Sequence, residues 1–130
     1  MPARKIPFPF ILDRLHALDP VTKPMFGSYA VYVREKIMLV LRERENHEDA
    51  NGIWLATSKE HHASLKKEFP SLQSIYILSD GKNETGWQMI PMDADDFESA
   101  ADHVCDLILK GDQRIGKIPK ARKKKKSTLN

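Results

Sequence analysis

The sequence predicts an α+β fold, a five-stranded antiparallel sheet with three helices packed on one face, in the order α-β(3)-α-β(2)-α. Three observations lead there. Three stretches place apolar residues at helical spacing. Between them lie five short runs rich in β-branched and aromatic residues. The links between neighbouring runs are short and polar, which antiparallel pairing accepts and a parallel crossover does not. In such a layout the helices gather on one side of the sheet.

Each element has its own warrant. Phe8, Ile11, Leu12, Leu15 and Leu18 predict a first helix over 8–18. Pro9 fits a first turn, and Asp19-Pro20 ends the run. Met25-Phe26-Gly27-Ser28 reads as an irregular entry, with Gly27 supplying backbone freedom. Tyr29 to Val33 is the first strand, Arg34-Glu35-Lys36 a polar tip, and Ile37 to Leu41 a central strand apolar on both faces. After a polar loop over 42–52, Ile53 to Ala56 is the third strand. Thr57 followed three residues later by Glu60 matches a capping box. The helix it predicts carries His62, Leu65 and Phe69 on one side and stops before Pro70. Ser74 to Leu78 and Gly86 to Ile90 are the last two strands, joined by a polar turn over 80–85. Asp93 is the expected cap of the final helix. Its stripe is Phe97, Ala100, Ala101, Val104, Leu107 and Ile108, and Gly111 closes it.

A chain of 130 residues with 41% hydrophobic and 30% charged residues has the profile of one globular domain. Collagen, a wholly disordered chain and a disulfide scaffold are excluded. Cys105 is the single cysteine and has no intramolecular partner, which fits a reducing compartment. The apolar stretch near the start is short and broken by Pro7 and Pro9, and no 18-residue apolar run follows. A cytoplasmic protein without membrane contact is the expectation.

Charge is distributed unevenly. Seven of the 21 basic residues (Lys117, Lys120, Arg122, Lys123, Lys124, Lys125, Lys126) and none of the 18 acidic ones lie from position 117 onward. Residues 1–116 therefore carry a net charge of −4 although the chain as a whole carries +3. The division predicts an acidic domain over 1–116 and a basic tail over 117–130. Like-charge runs repel, stay disordered and often serve as interaction tails, so the tail is expected to be disordered. These seven side chains are the candidate nucleic-acid contacts. Lysines in such a run meet phosphates without reading bases.

Catalytic and metal-binding patterns fail on spacing. His61 and His62 are sequential, so on a helix they point about 100° apart. His103 and Cys105 also face different ways, and no paired-cysteine or zincin spacing occurs. Counted from Asp93, the sixth and twelfth positions of a calcium loop would hold Glu98 and Val104 rather than glycine and glutamate. Gly81 and Gly86 lack the lysine that a phosphate loop needs. No metal or cofactor is expected. Tyr29, Tyr32, Trp54, Tyr76 and Trp87 spread over four of the strands. Exposed, they could stack on bases or line an apolar pocket with His62 as its acid–base group; buried, they are core. The pattern alone does not say which sheet face carries Tyr29 and which Tyr32.

Met25-Phe26-Gly27 before a tyrosine-containing strand and hairpin resembles the N-terminal domain of TfoX/Sxy competence regulators. A helix ending in Glu68-Phe69-Pro70, then a strand, a polar loop, Gly86-Trp87 and a closing helix is similar to the MmcQ/YjbR family. The two families share a fold, and the resemblance spans roughly residues 9–112. It implies the same α-β(3)-α-β(2)-α order and no established active site. It implies a regulatory or DNA-binding role without catalysis. Two features depart from it. Gly111 to Gly116 and the lysine run stand where the second TfoX domain would begin, and the hairpin tip holds Arg34-Glu35-Lys36 in place of a glycine-lysine pair. The expected function is thus a non-enzymatic binding module, reaching nucleic acid through its tail or a second protein through a sheet edge or face, a copy of itself included. The alternative is a small-molecule binder or enzyme built around Trp54, Trp87, Tyr29, Tyr32 and His62.

Overall fold

The computed structural model describes residues 6–25, 27–75 and 86–118. The elements are α1 (Phe10–Arg14), β1 (Val21–Met25), β2 (Ser28–Val33), β3 (Lys36–Arg42), β4 (Gly52–Leu55), α2 (His62–Glu68), β5 (Gln73–Ser74), β6 (Gln88–Pro91) and α3 (Phe97–Leu109). All pairings are antiparallel, and the sheet is open with spatial order β1-β2-β3-β4-β6-β5.

The α+β class and the antiparallel sheet agree with expectation, but the sheet has six strands rather than five. The additional one is β1, which pairs with β2 from Val21 opposite Tyr32 to Met25 opposite Ser28. It contains Lys23 and Pro24 and leaves Val21 exposed, the composition that suits an edge strand and hides it in sequence. The order is therefore α-β(4)-α-β(2)-α. The first helix is shorter than predicted: an α segment over Phe10–Arg14 and a 3₁₀ turn over His16–Leu18. The capping box does not form. The second helix opens with a 3₁₀ turn at Lys59, and the Thr57 hydroxyl is buried without a hydrogen-bond partner among the described residues. The third helix is preceded by Asp96 rather than Asp93. The strand predicted over 74–78 is described only to Ile75. Tyr76 and the turn over 80–85 lie outside the described residues.

Strand alternation divides the apolar residues between two faces. Val31, Leu39, Leu41, Ile53, Leu55 and Ile90 form one cluster with Ile11 of α1, Leu15 just after it, Leu65 of α2 and the stripe of α3. All three helices thus cover the same face. Ala30, Val40, Trp54 and Met89 face the other way, with Ala50, Ile75, Tyr32 and Trp87 packed around them. Between Val31 opposite Leu39 and Tyr32 opposite Ile37 the register slips, which makes Met38 the extra residue of a β-bulge.

The chain after α3 is part of the fold. Gly111, at φ +79°, takes the left-handed conformation expected of it. Its N–H donates to Ile108 O (3.0 Å), and the Asp112 N–H donates to Leu107 O (2.9 Å), the pair of bonds that defines a Schellman motif. Ile115 is buried in the helix-side core. The Gly116 N–H donates to Ala56 O at 2.7 Å, and Lys117 exchanges both backbone bonds with Ile37 at 2.9 and 3.0 Å. This strap over 111–117 pairs with β3 just beyond the Met38 bulge, one residue past the predicted domain boundary at 116.

Candidate binding surfaces

The strap fixes the point from which the basic run departs. Lys117 is held by its two backbone bonds to Ile37 and its side chain is exposed. The other six candidate nucleic-acid contacts, Lys120, Arg122, Lys123, Lys124, Lys125 and Lys126, lie outside the described residues.

Beside the strap is a cleft of about 470 Å³. Its walls come from three parts of the chain: the β2–β3 turn, the C-terminal end of α3, and the strap, with Leu18 at one side. Val33, Met38, Ile108 and Ile115 give it apolar walls. Leu109 and Ile118 line it as well, 38% and 51% exposed, and among the described residues only Val21 is another large hydrophobic so exposed. Arg34, Lys36 and Lys110 line it too, and none of their side chains has a hydrogen-bond or ion-pair partner among the described residues. Glu35 and Asp112 are the acids that line it.

Asp112 is already engaged. Its Oδ1 accepts from the Arg114 backbone N–H and Nε (both 2.9 Å), and its Oδ2 accepts from Nη2 at 2.7 Å. Arg114 also reaches Glu68 Oε2 (2.7 Å) and the Ser64 hydroxyl (3.1 Å) on α2. Hydrogen bonding by Arg114 holds the Asp112 carboxyl down at about 2. The bond to Asp112 in turn pushes the Arg114 guanidinium above its ordinary value. Glu68 Oε1 lies 3.2 Å from His103 Nε2, and that imidazole packs at a tilt against the Phe69 ring, 4.8 Å between centroids. The network clamps the strap to α2 and so supports one wall of the cleft.

Of the five residues considered for an aromatic-lined pocket, the structure brings three to one face. Trp54 and Trp87 meet edge to face at 6.4 Å between centroids, and Tyr32 joins the same cluster. Trp54 is 8% exposed and donates its indole N–H to Ala50 O at 2.9 Å. Tyr29 shares a strand face with Val31 and so points to the helix side. Lys23 Nζ sits 4.9 Å from the centre of the Tyr32 ring. His62 Nε2 donates to Gly86 O at 2.9 Å, tying α2 to the entry of β6. A Cβ at Gly86 would overlap the Thr57 carbonyl oxygen, so two backbones touch there. The cavity of about 470 Å³ is lined by none of these residues. Neither are two others, of about 530 and 520 Å³, which lie around Glu43, Arg44 and Glu45.

Cys105 is fully buried, and burial pushes its thiol up to about 11. A thiol in that setting is protonated and a poor nucleophile. Among the described residues, no group of three or more histidine, cysteine, aspartate or glutamate side chains is placed to hold a metal ion, and no helix is long and apolar enough to cross a membrane.

Sequence reasoning did not find the cleft. Its lining is spread over positions 18, 33–38 and 108–118, and only the fold assembles them. The one local signal was the turn Arg34-Glu35-Lys36, read as a solvated tip. Comparison with protein-family models, with curated proteins and with solved structures finds no match.

Proposed function

We propose that the protein is a non-catalytic binding or regulatory module, of the kind of the TfoX N-terminal and MmcQ/YjbR domains, and that its lysine-rich run brings it to nucleic acid. The observation that carries the reading is the anchored strap. Backbone pairing of Lys117 with Ile37 starts the basic run at a fixed place on a body whose net charge is otherwise negative. A cationic run rooted on an acidic domain suits sequence-independent contact with phosphates. The element order, apart from the edge strand β1, supports the family reading.

The test is a salt titration of duplex DNA and single-stranded RNA binding. The full chain is compared with a variant in which Lys120, Arg122 and Lys123 through Lys126 are glutamine. If all seven cations meet phosphates, log K falls against log salt with a slope of about −6 on duplex DNA, at about −0.9 per contact. The variant leaves Lys117 alone and a slope near −1. Equal affinities and slopes for the two proteins would refute the reading.

A further inference from the structure

We propose that the cleft between the β2–β3 turn, the end of α3 and the strap binds a small anionic amphiphile: one carboxylate or phosphate head on an apolar body. The inference stands apart from the nucleic-acid reading, since phosphate contacts need no apolar walls.

Three observations converge on that chemistry. Two of the three exposed large hydrophobics among the described residues, Leu109 and Ile118, border the same cavity, and Val33, Met38, Ile108 and Ile115 continue the apolar surface inward. A volume of about 470 Å³ lies within the range of small-ligand sites. The lining carries the side chains of Arg34, Lys36 and Lys110 without partners among the described residues, while Asp112 is ion-paired with Arg114, which it shares with Glu68. Of the lining acids, Glu35 alone has no ion-pair partner among the described residues.

The end of α3 does not spoil the site for an anion. A helix C-terminus repels negative charge through its free carbonyls. Here the Leu107 and Ile108 carbonyls accept from Asp112 and Gly111. The chain's own continuation is poorly matched to the cleft. Residues 119–130 bring six cationic side chains and no acidic one to a cationic lining. An anionic apolar guest satisfies both the apolar walls and the cations.

The experiment is an amide-shift titration of the full chain with decanoate, kept below its micellisation threshold. Parallel arms use decyl phosphate, decan-1-ol and decyltrimethylammonium. Saturable shifts confined to residues 33–38 and 108–118 are expected with one or both anions, and the two anionic arms identify the preferred head. The cationic amphiphile should not bind, and the alcohol should bind about tenfold more weakly. R34Q/K36Q/K110Q should weaken the anion about tenfold. I118S removes an exposed wall, leaves the fold intact, and should weaken the anionic and alcohol arms together. The glutamine variant of the tail should bind the anion as the native chain does, so failure of the nucleic-acid reading would not be mistaken for failure of this one. No shifts with either anion, shifts elsewhere, or undiminished binding by the triple variant would overturn the proposal.

Discussion

Ile115→Ala is the sharpest test of whether the strap belongs to the fold. Ile115 is 2% exposed and packs in the helix-side core with Ile108 and Leu39. The substitution removes three buried carbons, about 2.4 kcal/mol of transfer free energy at about 0.8 kcal/mol per carbon. A cavity term adds to this, reduced because the strap can settle inward, so the expected loss is about 3 kcal/mol. Against a stability of about 5–15 kcal/mol for a domain of this kind, that is a large fraction. In urea the midpoint should fall with an unchanged slope, and the melting temperature should drop by about 10 °C. Ile118→Ala, three residues on and 51% exposed, should stay within about 0.5 kcal/mol of the native chain. A loss below about 1 kcal/mol for Ile115→Ala would mean that the strap does not pack in the core, and the anchored origin of the basic run would fall with it.

Four further outcomes follow from particular contacts. Gly111→Ala places a side chain at φ +79° in open space, so its cost is conformational alone, about 1 kcal/mol by thermal denaturation, and Gly111→Asn should cost less. Thr57→Val removes a buried hydroxyl without a partner among the described residues and should be neutral or stabilising by up to about 1 kcal/mol; a clear destabilisation would show that the hydroxyl is satisfied. Asp112 has a folded-state value of about 2 against an ordinary 3.8, so its contribution is complete above about pH 4 and is lost as pH falls towards 2. Asp112→Asn should flatten that part of the stability–pH curve, with an amplitude of about 1–2 kcal/mol. Cys105 should react with an aromatic disulfide no faster than the protein opens, and a burst of labelling in native buffer would contradict its burial.

What the sequence revealed depended on whether a signal was local. The stripe of α3 has a 3.6-residue period that survives in one segment, so Phe97–Leu109 was legible with its Gly111 terminator. The central strands were legible because burial on both faces leaves a continuous apolar run such as Ile37 to Leu41. The edge strand β1 was not, because an edge needs no apolar alternation and tolerates Pro24. The capping box failed for a tertiary reason. Close approach of Gly86 to the Thr57 backbone belongs to the arrangement that buries Thr57, and a residue so placed is not free to cap a helix. For the candidate sites the same divide holds. The basic run is visible in one stretch of sequence, while the two faces bearing Tyr29 and Tyr32 required the pairing of β2 with the core.

The strap takes over where the pairing of β3 with β4 ends. That pairing runs in register to Leu39 opposite Leu55 and ends with the Ala56 N–H donating to the Met38 carbonyl at 3.0 Å, while the extra residue at Met38 shifts β3 against β2 alone. Beyond it the Ile37 backbone is free for another partner, and Lys117 takes that place. Gly116 fits there because its φ of +116° is one that side chains rarely adopt and because Met38 crowds its Cα. The Asp112–Arg114–Glu68 network then holds the strap's other end against α2. The cleft is the space left where the strap, the β2–β3 turn and α3 converge without filling it. The strap thereby sets both the root of the basic run and one wall of the cleft, which is why two separate binding proposals fall on one side of the molecule.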